Sequence, residues 1–282
     1  MGRAIGSAPA RGSSTLGKRV ATAVFLLVCF LGALFWLPEP AWGGVLALAA
    51  FGGAREWARL CRLSGRGATI YALASTAACG GLLWAASGAG NAGLIQAAYW
   101  LAVAFWTLLV PPLLAGRLRL GAQSRKCVAG WIVLLPAVAA MFEIRSADPW
   151  LLLGFMATVW ISDTAAFFAG RRFGRHKLAP AVSPGKTWEG VAGASLAVAV
   201  YGFAWGYWGL GKSHPASLAA FVLLLLVLVA FGILGDLFES AMKREAGVKD
   251  SGSVLPGHGG ILDRIDALTS TLPIAAHVTR FL

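Results

Sequence analysis

Ten of the chain's 36 charged residues, six of them acids, fall within positions 236–266, DLFESAMKREAGVKDSGSVLPGHGGILDRID. Asp236, Ser240 and Lys243 are spaced i, i+4 and i+7, which on a helix sets a carboxylate, a hydroxyl and an ammonium along one stripe, with Glu239 beside them. Asp263 and Asp266 are three apart, so on a second helix both carboxylates face the same way. Between the two pairs, Gly257, Gly259 and Gly260 let backbone amides approach a ligand without side-chain obstruction. Hard carboxylate oxygens beside Lys and Arg are what a site for Mg²⁺ and phosphates requires.

Two further features lie upstream. Asp163 sits inside an apolar run, VWISDTAAFFAGRRFG, where an ionisable group costs a few kcal/mol unless it is paired or hydrated. It is therefore a functional candidate, with an ion pair to Arg171 or Arg172 as the alternative. After it comes SPGKTWEG, in which Ser183, Lys186 and Thr187 form a turn before a helix that starts near Thr187 or Trp188. Amides at a helix start attract anions, and a lysine adds a point charge for phosphate. The GKT is not the end of a phosphate-binding P-loop, because the motif's first glycine would fall at Pro180 and no strand precedes it. Glu39, Glu143 and Asp148 fall in outer loops where solvation accounts for them. Glu56 is expected to pair with Arg55 or Arg59.

These residues sit in a chain of membrane-protein composition: 58% hydrophobic, 13% charged, mean hydropathy +0.72. A helix crosses the hydrocarbon core with about 20 apolar residues. Segments of that kind fall at 20–38, 41–60, 69–88, 93–115, 127–143, 148–170, 188–210, 216–239 and 264–281, the fifth being short. The expected fold is all-α, a polytopic integral membrane protein of about nine transmembrane helices. Residues 1–19 are expected as a disordered cytosolic tail, rather than a cleaved signal peptide, before a single transmembrane domain over 20–282. The chemistry is carried by 160–190 and 232–270. The eighth segment should continue past the bilayer, since residues 216–246 as helix span about 46 Å against a core of about 30 Å; Gly247 is its stop.

Basic residues alternate between loops, and 21 of the 24 fall on one side. By the positive-inside rule this puts the N-terminus in the cytoplasm and the C-terminus on the opposite side. The same alternation explains the net charge of +12 without nucleic acid as a partner. The four cysteines, at 29, 61, 79 and 127, lack metal-ligand spacing and are expected to be packing residues. Acids gathered at one membrane face, with no inverted repeat, argue against a transporter.

Ser240, Met242, Lys243, Arg244, Lys249, Asp250, Pro256, His258, Gly259, Gly260, Asp263, Arg264 and Asp266 together resemble the signature of the phosphatidate cytidylyltransferases, or CDP-diacylglycerol synthases. Asp163 with Ala166, Phe167 and Gly170, and then SPGKTWEG, are similar to that family's two other recurrent segments. The first 150 residues add only a compatible helix count and topology. The resemblance implies transfer of CMP from CTP to phosphatidic acid, giving CDP-diacylglycerol and pyrophosphate. It further implies Mg²⁺, a two-metal site that a monovalent cation such as K⁺ can join, a homodimer, and a bacterial inner membrane with the active site facing the cytosol.

On this footing Asp236 and Asp263 hold metal, with Asp266 and Asp163 as further or supporting ligands. Lys243, Arg244, Lys249 and Arg264 contact phosphates, while Ser240 and the glycine loop position them and Asp250 completes the catalytic set. Ser183, Lys186, Thr187, Glu189, His258, Gly259 and Gly260 bind substrate. No general base is required, because a phosphate monoester with a second pKa of about 6 is already largely a dianion near neutral pH.

Overall fold

The computed structural model describes residues 13–88, 90–252, 254 and 259–280. Its helices fall on the nine apolar segments. They are α1 (Ser13–Trp36), α2 (Glu39–Leu60), α3 (Gly65–Ala86), α4 (Ala92–Ala104) continued through a π-turn into α5 (Val110–Leu114), α6 (Gln123–Ala147), α7 (Pro149–Phe173), α8 (Trp188–Ala204), α9 (Pro215–Ala246) and α10 (Leu262–Thr279). Among the described residues, six helical stretches are long and apolar enough to cross a membrane: Gly65–Ala86, Ala92–Leu114, Gln123–Ala147, Pro149–Phe173, Trp188–Gly209 and Pro215–Ala246. The start of α1 lies within the stretch expected as a tail, and the rest of that expectation, residues 1–12, lies outside the described residues.

Local chemistry sets the helix ends. Ser64 Oγ accepts from Gly67 N at α3, Asp148 Oδ1 accepts from Trp150 N at α7, and Thr187 Oγ1 accepts from Gly190 N at α8, each satisfying an amide that has no partner within its helix. α9 runs on to Ala246 and stops at Gly247, whose φ of +78° is the left-handed conformation glycine adopts freely. The fourth segment is not one regular helix. Pro111 and Pro112 lack the N–H groups that an α-helix needs there, and the Phe105–Leu109 turn adopts i→i+5 bonding, Val110 N donating to the Phe105 carbonyl. The fifth segment is longer than 127–143, and its helix α6 is the most enclosed of the six apolar stretches.

One expectation of local structure is corrected. Residues 183–187 are not a simple turn: β1 (Lys177–Ala179) and β2 (Ser183–Thr187) form a two-stranded antiparallel hairpin, pairing Lys177 with Thr187 and Ala179 with Ser183. The fold is thus helical with one small hairpin between α7 and α8. Its physical reason is that His176, at the hairpin's mouth, accepts Trp188 N on its carbonyl, so the two ends of the link are tied where α8 begins.

α10 is the central post. It packs against α9, α6, α4, α7 and α2, and residues 267–277 are all buried. That enclosure explains its composition, because Thr269, Ser270 and Thr271 could not face lipid cheaply. Their hydroxyls are satisfied by the carbonyls of Asp266, Phe231 and Ala267. Gly235 allows α9 to approach closely, since a Cβ there would stand 2.6 Å from the Asp266 carbonyl oxygen and 2.6 Å from Ser270 Oγ. Gly235→Ala is therefore expected to force α9 from α10 and destabilise the protein by about 1–3 kcal/mol. Thermal melting of the purified protein measures this, and an unchanged midpoint would contradict the close approach.

Candidate active site

Lys186, Asp236, Glu239, Lys243 and Asp263 form a chain of contacts that links the hairpin to α9 and α9 to α10. Lys186 Nζ, on β2, lies 2.6 Å from Asp236 Oδ2 on α9, and Ser240 Oγ donates to Asp236 Oδ1 at 3.3 Å. One turn on, Lys243 Nζ bridges two carboxylates, Glu239 Oε2 at 3.1 Å and Asp263 Oδ1 at 2.7 Å. The helical stripe inferred from spacing is thus real, and it is crossed by the first turn of α10.

Asp263 is held on several sides. Besides Lys243, it accepts the amides of Gly260 at 2.8 Å and Ser251 at 3.0 Å. Burial opposes its ionisation, but the Lys243 ammonium and those two amides outweigh it and keep its carboxyl below the ordinary carboxylate range. Asp266, one turn on, is half-buried with its Oδ1 taking the Ala267 amide at 2.8 Å. The carboxylates of Asp236 and Asp163 are near enough to act on Asp266 electrostatically.

A cavity of about 550 Å³ opens between α7, α8, α9 and the hairpin. Asp163, Arg171, Lys177, Ser183, Lys186, Thr187 and Asp236 give it a polar wall of mixed charge, and Phe167, Leu178, Val191 and Ile233 an apolar one. The ion pair considered for Asp163 with Arg171 or Arg172 is not among the ion pairs of the described residues; Lys186 is the cation that acts on it. Arg171 and Lys177 also line the cavity, and in the sequence the positive-inside pattern is a sufficient explanation for both.

The Glu189 carboxylate is engaged by His176, accepting its backbone amide at 3.2 Å with the ring Nδ1 2.6 Å away. Arg244, Lys249 and Asp250 are exposed at the end of α9 and in the turn after it, and Arg264 is exposed on the first turn of α10. His258 lies outside the described residues.

Glu56 corrects its expectation most sharply. It pairs with neither Arg55 nor Arg59; it is buried, and both oxygens accept hydrogen bonds from residues 251, 261 and 262.

The donors around Asp236, Asp263 and Asp266 suit Mg²⁺ in kind, all being hard carboxylate oxygens. Among the described residues no three His, Cys, Asp or Glu side chains form a closed metal-binding group. Mg²⁺ is commonly held by one or two carboxylates and completed by water and substrate phosphates.

The model of a family described as "Cytidylyltransferase family" matches residues 17–282. The chain belongs to the cytidylyltransferase family. Among its relatives, a phosphatidate cytidylyltransferase of Pseudomonas aeruginosa is 37% identical over 267 residues, 93% of this chain and 96% of that protein. One from Haemophilus influenzae is 43% identical over 153 residues, about half of each chain, and one from Staphylococcus saprophyticus is 42% identical over 134 residues, again about half of each. For a cytidylyltransferase, the cations beside the cavity have a ready role: Lys177, Lys186 and Arg171 can take phosphate oxygens as point charges or as a planar fork.

Lys243 neutralises two enclosed carboxylates, so Lys243→Met leaves both without a counter-charge. The expected loss is about 3 kcal/mol of stability together with activity. Adding Glu239→Gln should restore part of the melting temperature; if the double variant melts no higher than the single one, the bridge is not what stabilises this corner.

Proposed function

We propose that this chain is a phosphatidate cytidylyltransferase, transferring CMP from CTP to phosphatidic acid with release of pyrophosphate. One observation carries the reading: a cavity joins lysine, arginine and carboxylate side chains to an apolar wall among apolar helices. A water-soluble polyphosphate needs the first wall and a lipid phosphate needs both. The name of the Pseudomonas aeruginosa relative, matched over nearly the whole chain, supplies the lipid.

The chemistry needs little proton handling. A phosphatidate oxygen, largely ionised near neutral pH, attacks the α-phosphorus of CTP; the new P–O bond forms as the bond to the β-phosphate bridge breaks, and pyrophosphate carries away the electron pair. What must be overcome is repulsion between two polyanions and the charge that builds on the leaving group. Lys186 and Lys243 now lie on Asp236 and Asp263. An incoming triphosphate competes for those ammonium groups, and each lysine that turns to a phosphate frees a carboxylate. Asp236, Asp263 and Asp266 are the residues that would hold Mg²⁺, whose charge would offset that of the triphosphate and the departing pyrophosphate. Arg171 and Lys177 restrain the remaining phosphate oxygens, and Ser240 keeps Asp236 oriented.

The remaining features of the reading rest on charge pattern and resemblance: nine transmembrane helices with the N-terminus in the cytoplasm and the C-terminus opposite, an active site at the cytosolic face of a bacterial inner membrane, a homodimer, and a second cation such as K⁺. CTP is cytosolic and the lipid headgroup lies at the leaflet surface, so a site at that face meets both.

Purified protein given CTP labelled at the α-phosphate should place label in lipid, whereas CTP labelled at the γ-phosphate should not; the reverse pattern would identify a lipid kinase instead. Chelation with EDTA should stop transfer, and excess Mg²⁺ should restore it. Asp236→Ala and Asp263→Ala should each lower turnover at least about a thousandfold, while Lys212→Ala, on the predicted outer side, should leave it unchanged. Wild-type turnover in either aspartate variant would remove that residue from the metal assignment, and a severe loss at Lys212 would overturn the topology.

A further inference from the structure

α10 begins without a cap of its own. The residue before its first turn is Ile261, which offers no side-chain acceptor, although the first amides of a helix lack partners within it. The acceptors come instead from α2. Glu56 Oε1 takes the Ile261 amide at 2.9 Å, and Oε2 takes the Leu262 amide at 2.9 Å. A carboxylate placed there also meets the positive end of the helix dipole. Glu56 is 1% exposed, so this is an enclosed link between segments distant in sequence.

The same carboxylate reaches the reacting site through one residue. Ser251 Oγ donates to Glu56 Oε2 at 3.0 Å, while the Ser251 amide donates to Asp263 Oδ2 at 3.0 Å. Asp263 in turn takes the Gly260 amide and the Lys243 ammonium. The backbone is shaped around this carboxylate: a Cβ on Gly252 or Gly260 would collide with the Glu56 oxygens, and one on Gly260 with Ser251 Oγ as well. Side-chain reach is tight for the same reason, since both Glu56 oxygens are committed to donors.

We propose that Glu56 is a positioning residue for the transfer reaction, capping α10 from α2 and, through Ser251, fixing the place and orientation of the Asp263 carboxylate. This rests on the reading that Asp263 serves the metal and phosphates. Glutamine is not an equivalent replacement, because its amide nitrogen would confront an N–H or O–H donor where an acceptor is needed.

The test uses full-length protein in detergent, with Glu56→Gln, Ser251→Ala and Asp263→Ala as separate variants. Amide hydrogen exchange at residues 251, 260, 261 and 262, read without CTP or Mg²⁺, should quicken at least about tenfold in Glu56→Gln, as loss of buried hydrogen bonds implies. Its kcat, per folded molecule, should fall about 10–100-fold and its half-maximal Mg²⁺ concentration should rise, with KM for phosphatidic acid within about twofold. Ser251→Ala, which keeps the backbone amide but cuts the link, should lower kcat about 3–10-fold. Unchanged exchange, or a wild-type kcat and Mg²⁺ response in folded Glu56→Gln, overturns the proposal. If that variant does not fold, a wild-type kcat in Ser251→Ala overturns it. An active Asp263→Ala would sink the reading of Asp263 instead, and the exchange result would still judge the cap.

Discussion

A polar helix inside an apolar protein is the constraint on which this structure turns. α10 carries two aspartates, an arginine and a run of hydroxyl residues, a composition that cannot be presented to lipid without heavy cost. It must be wrapped by other helices along its length and satisfied at its end. Enclosure by α2, α4, α6, α7 and α9 meets the first need and Glu56 meets the second. The wrapping brings α2 and α9 to the first turn of α10, and Lys186 of the hairpin reaches Asp236 on α9, so solving a folding problem also assembles the charged cluster.

Within that cluster the charges are interleaved rather than segregated. Lys186 lies on Asp236 and Lys243 lies between Glu239 and Asp263, so these three acids, which would otherwise repel their neighbours, each have a cation in contact. Such pairs gain little net stability once desolvation is counted. Their value is that the partners can be exchanged: an ammonium that prefers a phosphate leaves a carboxylate free for a cation.

The periodic features were legible in the sequence. Apolar runs located the helices, Gly247 marked the end of α9, Thr187 the start of α8, and the i, i+4, i+7 spacing placed Asp236, Ser240 and Lys243 on one stripe. What escaped depended on contacts between distant segments. Glu56 sits beside two arginines in sequence, so a local pair was the natural expectation, and nothing along the chain announces that its oxygens serve residues 251, 261 and 262. Arg171 and Lys177 were hidden by having a sufficient topological explanation. The hairpin escaped because three- and five-residue strands give too short a pattern to distinguish from a turn. Glu189 belongs to a motif-like string, and nothing in that string announces the contact of its side chain with His176.

The placement of α9 shows why one helix longer than a bilayer is needed. A helix ending at the hydrocarbon boundary would leave Lys243 unable to meet Asp263, because that contact lies near the far end of a 32-residue rod, well past the roughly 20 residues that cross the core. The surplus turns carry Ser240 and Lys243 outward along the same stripe as Asp236, and the Gly247 stop turns the chain back so that Ser251 can donate to Asp263. Along α9 the cavity wall passes from apolar at Ile233 to acidic at Asp236, and Lys243 lies further along the same helix, between Glu239 and Asp263. A ligand with a greasy end and a charged end is oriented by such a gradient before any single hydrogen bond forms, since reversing it would bury charge against carbon and expose carbon to water.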